Sequence, residues 1–138
     1  ALGADDEDWV LVHDAARPNL SRDDLDKLLG DLADDPVGGL LAVPARDTLK
    51  RVDKQGRVVE TVDRSVIWQA YTPQMFRLGA LHRALADSLV ADAVITDEAS
   101  AMEWAGMAPR LIEGRADNLK VTRPEDLEWL RQRWANRG

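Results

Sequence analysis

Apolar residues along this chain follow two spacings. Trp9-Val10-Leu11-Val12 is an unbroken apolar run ending in His13-Asp14, and Leu40-Leu41-Ala42-Val43-Pro44 is a second. Short runs without polar interruption are typical of strands buried on both faces. Between them Leu25, Leu28, Leu29 and Leu32 recur at helical spacing. Ser21, with Asp24 three positions on, reads as a carboxylate variant of the capping box that starts this helix. Asp35-Pro36 and Gly38-Gly39 are expected to end it.

From Thr48 to Arg64 the pattern changes. This stretch is rich in Val, Thr and charge, with a turn signal at Asp53-Lys54-Gln55-Gly56. So polar a hairpin has little to bury, and it is expected to project as an arm. Trp68-Gln69-Ala70-Tyr71 reads as a strand, and Thr72-Pro73-Gln74 as the opening of a helix carrying Leu78, Leu81, Leu85 and Leu89. Thr96 is expected to cap a helix from Asp97 to Ala105 that Gly106 ends. Arg110 to Glu113 and Asn118 to Val121 read as short strands. Thr122, with Glu125 three residues on and Pro124 between, is expected to start a last helix carrying Leu127, Leu130 and Trp134. Strands alternating with helices predict an α/β fold with a mainly parallel sheet. Such sheets bind ligands at the carboxyl ends of their strands, often with a Gly-rich phosphate loop after an early strand. No such loop occurs in this sequence. Either the protein binds no nucleotide, or the loop lies upstream of Ala1.

Composition narrows the classes. With 138 residues, 45% hydrophobic and 31% charged, the chain fits one compact domain or a piece of a larger one. No apolar run approaches the ~18 residues of a membrane-spanning helix. The chain has no cysteine, hence no disulfide framework or thiol nucleophile. The acidic start, Asp5-Asp6-Glu7-Asp8, does not resemble a signal peptide, and a cytoplasmic location is expected. A formal net charge of −7 argues against nucleic-acid or membrane-surface binding, both of which need a basic face. It leaves anionic small molecules open, since a phosphate needs only a local cluster of donors.

Six segments look chemical: His13-Asp14-Ala15-Ala16-Arg17-Pro18, Arg46-Asp47-Thr48, Thr61-Val62-Asp63-Arg64, Thr72-Pro73-Gln74, Thr96-Asp97-Glu98-Ala99-Ser100, and the stretch from Gly114 to Leu127 that contains Asp117-Asn118-Leu119-Lys120. In this order, from about Trp9 to about Trp129, they resemble the 2-C-methyl-D-erythritol 4-phosphate cytidylyltransferases. The resemblance implies a Rossmann-like nucleotidyltransferase fold whose arm, residues 48 to 64, interlocks with that of a twin in a homodimer. It implies transfer of a cytidylyl group from CTP to methylerythritol phosphate, with Mg²⁺. It further implies a preceding Gly-rich loop bearing an Arg and a Lys. This sequence has neither residue in such a loop, so the chain is expected to be the C-terminal part of a single cytidylyltransferase domain, incomplete and alone inactive. Its sheet is expected to have an open inner edge. A ribitol 5-phosphate cytidylyltransferase and a non-catalytic dimerisation fragment are the alternatives.

The chemistry needs positive charge more than a base. A phosphate monoester with a second pKa near roughly 6 is mostly dianionic at neutral pH and attacks phosphorus unaided. What it needs is positioning and charge neutralisation. The resemblance makes Arg64 and Lys120 the catalytic pair, Arg64 serving the twin's site. It makes Asp14, Arg17 and Thr48 substrate contacts. Asp14 also follows a predicted buried strand, where open α/β sheets place ligands. Thr96 and Asp97 have a sufficient role as a helix start, with ligand contact equally open. Arg115 and Arg123 either add to the phosphate field or hold a turn. His13 reads as a packed strand-end residue, His82 has no chemical context, and the tryptophans read as core or interface.

Overall fold

The computed structural model describes residues 3–137. In chain order they form β1 (Trp9–Val12), α1 (Arg22–Leu32), β2 (Gly38–Pro44), β3 (Leu49–Val52), β4 (Val58–Val62), a 3₁₀ turn (Arg64–Val66), β5 (Trp68–Arg77), α2 (Leu78–Val90), α3 (Glu98–Trp104), β6 (Arg110–Glu113) and α4 (Pro124–Ala135). The sheet has the order β1-β5-β2-β6, and β3 and β4 pair separately. β1, β2 and β6 run the same way, as a mainly parallel sheet requires. β5 runs against them from between β1 and β2, so only β2 and β6 are hydrogen-bonded in parallel. The sheet is mixed. β1 is an edge strand among the described residues, and all four of its residues are only half-buried.

The pleat sorts the core into two layers. Leu40 and Phe76 face α2 and α3, where they meet Leu81, Ala84, Ala101 and Met102. Their neighbours Leu41 and Met75 point the other way, against Leu28 and Leu32 of α1 and Ile112 of β6. Helices thus cover both faces, and β2, central and buried nearly throughout, is the spine.

Several expected boundaries moved. Thr72-Pro73-Gln74 lie inside β5, not at a helix start. Leu40 pairs with Gln74 and Ala42 with Ala70, so Tyr71, Thr72 and Pro73 together oppose Leu41 in a bulge. A proline is tolerated there because no ladder bond needs its missing N–H. α2 instead starts at Leu78 without a side-chain cap. Its free Leu78 and Gly79 N–H groups donate to the carbonyls of Asp8 and Asp6 at 2.8 and 2.9 Å, so the acidic start of the chain caps it.

Ser21 caps α1 by accepting from Asp24 N–H at 3.1 Å, as expected, but the Asp24 carboxylate accepts from Arg115 N–H at 2.9 Å instead of closing the box. The cap of α3 is Asp97, reciprocally bonded with Ser100, and not Thr96. α4 starts at Pro124, with Asp126 rather than Glu125 accepting from the Thr122 and Arg123 N–H groups at 3.0 Å. Asn118 to Val121 form no strand. Of the residues expected on α4's apolar face only Leu130 is buried, while Leu127 and Trp134 are 42% and 45% exposed. Trp68, Trp104 and Trp129 are also exposed, and only Trp9, half-buried with the Arg77 guanidinium 3.7 Å from its ring centroid, packs against the core.

The arm has the expected form. Asp53 accepts from Gln55 and Arg57 N–H at 2.9 Å, and Gly56 takes the left-handed conformation that closes the turn. Arg51 pairs with Glu60 across the strands, and Lys50 donates to Thr61 Oγ1 at 2.7 Å.

Gly38 and Gly39 do not end α1; they open β2, where two backbones crowd them. A Cβ at Gly39 would lie 1.9 Å from the Arg110 carbonyl oxygen. Gly30, in the middle of α1, has nothing within 4 Å of the same point. Gly39→Ala is therefore expected to destabilise the fold by about 2–3 kcal/mol, and Gly30→Ala to stabilise it by about 0.5–1 kcal/mol. Urea denaturation of the two variants checks the pair, and an equal effect of both would contradict the β2–β6 contact.

Candidate active site

Three segments converge beyond the carboxyl end of β1: the loop after β1, the bulge of β5, and the loop between β6 and α4. Asp14 and Arg17 lie on the first, which turns tightly as the Arg17 N–H donates to the Asp14 carbonyl at 3.0 Å. The second contributes Tyr71, Thr72 and Gln74. The third brings Lys120. Together with Asp97 at the start of α3 they line a cavity of about 360 Å³.

Arg17 is buried, with two of its three nitrogens engaged. Its Nε donates to Asp14 Oδ2 at 3.3 Å and its Nη1 to the Asn118 carbonyl at 2.7 Å, with the guanidinium carbon 4.3 Å from the Tyr71 ring centroid. Lys120 is different: its side chain is 51% exposed and its Nζ stands 3.7 Å from Asp14 Oδ2. It keeps donors free for an anion, while Arg17 organises the loop.

The third loop has no regular structure, so side chains hold it. Asn118, 1% exposed, donates from Nδ2 to the Thr72 carbonyl at 2.8 Å. Val121 N–H donates to the Ala16 carbonyl at 2.7 Å, and Asn19 Nδ2 to the Asp117 carbonyl at 2.7 Å. The Asp117 carboxylate receives Arg115 through two bonds of 2.9 and 2.7 Å, and Arg133 of α4 as well. On the far wall Gln74 accepts from Ala99 N–H at 2.8 Å and donates to Asp97 Oδ2 at 2.9 Å, fixing α3 against β5.

Of the residues singled out in the sequence, Asp14, Arg17, Lys120, Thr96 and Asp97 meet in this cavity. Thr48 and Arg64 do not. Thr48 sits exposed at the root of the arm, and Arg64, on the 3₁₀ turn, donates to the Arg46 carbonyl beside it. Arg115 holds the turn with Asp117, which resolves its open reading toward structure. Thr72, Gln74 and Asn118 were missed as site residues. The sequence did flag the segments that hold them, but a bulge and an irregular loop have no periodicity to show which side chains turn inward.

The cavity thus holds an exposed ammonium, the carboxylates of Asp14, Asp97 and Glu98, and a threonine hydroxyl. A sequence model of the 2-C-methyl-D-erythritol 4-phosphate cytidylyltransferases matches residues 1–131. The chain belongs to this family. The cytidylyltransferase of Pseudomonas fluorescens strain Pf0-1 is 94% identical over 137 residues, which are 99% of this chain and 58% of that protein. That of Pseudomonas putida strain GB-1 is 82% identical over the same length. Among solved structures, a 4-diphosphocytidyl-2C-methyl-D-erythritol synthase superposes with a TM-score of 0.82 at 50% identity, covering 94% of this chain and 56% of its own. The Francisella tularensis cytidylyltransferase gives 0.83 at 41%, covering 96% and 62%. The fold expected from the resemblance is thus the fold found, and the chain spans about 58% of the length of these Pseudomonas cytidylyltransferases.

Asp117 gives the site a pH signature. Its hydrogen bonds from Arg115 are the main cause holding its carboxyl below the usual range, and the charges of Arg115 and Arg133 add to this against the opposing effect of burial. The folded form therefore binds fewer protons here than the unfolded chain. The stabilisation is complete above the ordinary carboxyl value of about 3.9 and is lost as pH falls through the lower folded value. Asp117→Asn is expected to cost about 1–3 kcal/mol at neutral pH, with the gap from wild type closing under acid. Denaturation curves across acid pH check this; a gap that persists at the lowest pH would assign Asp117 a packing role only.

Proposed function

We propose that the whole protein transfers a cytidylyl group from CTP to 2-C-methyl-D-erythritol 4-phosphate, releasing pyrophosphate, and that this chain is the C-terminal part of its single catalytic domain. The observation that carries the reading is Lys120 with free donors beside Asp14 and Thr72, in a cavity of about 360 Å³, within a chain of this family.

An oxygen of the substrate phosphate attacks the α-phosphorus of CTP. The bond from that phosphorus to the bridging oxygen breaks, and its electron pair leaves with pyrophosphate. No proton need be removed from the dianionic nucleophile. Lys120 offsets the repulsion between the two anions and aims the attacking phosphate. Asp14, an acceptor when ionised, suits a substrate hydroxyl. Arg17 holds Asp14 in place. In this reading Mg²⁺ would be held mainly through the triphosphate and water, with Asp14 the nearest carboxylate of this site, and would add positive charge to the reacting phosphates. Among the described residues no group of three or more His, Cys, Asp and Glu side chains fits a resident metal, and no step is assigned to one. A cytoplasmic enzyme is the matching location; among the described residues no helix is long and apolar enough to cross a membrane.

The arm belongs to the same reading. Val52, Val58 and Val59 on it are 53–62% exposed, apolar surface suited to a second copy of this chain. Arg64, turned from its own cavity, then reaches the partner's. Its planar, permanently charged fork suits a phosphate in a way a lysine does not reproduce.

In the full-length protein Arg64→Ala and Lys120→Ala are each expected to lower kcat/KM about 10²- to 10³-fold. Mixed dimers of the two variants are expected to regain half the wild-type rate. One of the two sites then draws Lys120 from one chain and Arg64 from the other. Pyrophosphate release after confirmed subunit exchange is the measurement; mixed dimers as inactive as their parents would place Arg64 in its own chain's site.

A further inference from the structure

His13 directly follows β1 but is exposed and not packed as expected, yet both its ring nitrogens are engaged. Nε2 lies 2.9 Å from the Arg17 carbonyl oxygen, and Nδ1 lies 2.8 Å from the Thr72 hydroxyl. A carbonyl oxygen only accepts, so Nε2 carries the proton. In the neutral ring Nδ1 is then an acceptor, and the Thr72 O–H donates to it. The same hydroxyl oxygen accepts from the Asp14 N–H at 3.0 Å. A hydroxyl has one proton and two lone pairs. The proton and one pair are taken, and what Thr72 presents to the cavity it lines is the other pair.

We propose that His13 is a positioning residue: it turns the Thr72 hydroxyl proton away from the cavity, so that Thr72 receives a hydroxyl of the acceptor substrate and not a phosphate oxygen. A deprotonated phosphate oxygen brings no hydrogen to that lone pair, whereas an alcohol does. The phosphate is left to Lys120, which has donors and no acceptor. His13 thereby sets which group of the substrate Thr72 receives, without touching it.

This inference rests on the functional reading above, and two measurements on the full-length protein keep their failures apart. In steady-state kinetics His13→Phe, which frees the hydroxyl to rotate, is expected to raise KM for 2-C-methyl-D-erythritol 4-phosphate roughly 5- to 10-fold, the value of one neutral hydrogen bond. KM for CTP stays at the wild-type value. His13→Asn, whose Oδ1 stands near the Nδ1 position as an acceptor, is expected to recover most of that loss, and His13→Gln is not. In a Thr72→Val background His13→Phe is expected to change KM less than about twofold, because the hydroxyl it acts through is gone. An unchanged KM in His13→Phe, or an equal rise in the Thr72→Val background, overturns the proposal. Should His13→Phe fail to fold, the Asn and Gln variants decide by the same criterion.

The second measurement needs no turnover. Long-range ¹⁵N–¹H spectra are expected to show His13 protonated at Nε2, with an Nδ1 resonance that moves in Thr72→Val. A ring protonated at Nδ1, or one indifferent to Thr72→Val, overturns the positioning role whatever the reaction. A wild-type protein with that His13 signature and no cytidylyl transfer overturns the functional reading instead.

Discussion

Asn118 is nearly sealed from solvent, and the three segments of the site close on it. Its side chain donates to the Thr72 carbonyl in the β5 bulge, and its own carbonyl accepts from Arg17 behind Asp14. The bulge has no ladder partner for that carbonyl, and the loop has no ladder at all. One amide and one peptide carbonyl thus do for this corner what sheet pairing does for the core, and in a poorly solvated place each bond counts for more than it would at the surface. The site's precision follows from groups that never face the substrate.

Charge in the cavity is divided by burial. Arg17 is buried and donates to two acceptors of the scaffold, while Lys120 reaches solvent with the Asp14 carboxylate 3.7 Å away. The chain's net charge of −7 does not oppose this, because only charges within a Debye length of the bound anion matter, about 8 Å at physiological salt. Of the other acidic residues, Asp97 and Glu98 also line the cavity, while Asp6 and Asp8 cap α2 through their backbone carbonyls.

What was legible in the sequence is what repeats. Apolar runs placed β1 and β2, leucine spacing placed α1 and much of α2, and the polar hairpin stood out by its lack of either pattern. Antiparallel β5 was not legible as such, because a strand's direction is set by its partners and not by its own residues. Its extension through Pro73 went against local preference, which reads Thr-Pro-Gln as a helix start; the bulge removes the penalty that makes the preference a rule. The glycine pair at 38 and 39 signals a turn when read alone, and only the closeness of the Arg110 and Met75 backbones shows why side chains are barred there. In the site, Asp14, Arg17 and Lys120 were within reach because their segments resemble a family. Thr72, Gln74 and Asn118 are inward-facing polar residues in irregular backbone, where spacing along the chain says nothing about direction.

The arm has water on both faces. A two-stranded ribbon without a covering layer is marginally stable at best, and the Arg51–Glu60 pair and the Asp53 turn add little at such exposure. Its strands are therefore a cooperative unit apart from the body, able to open and exchange their amide hydrogens while β2 and β5 stay closed. Order in the arm is set by whatever lies against it, so in the dimer proposed above its protection from exchange becomes a function of protein concentration.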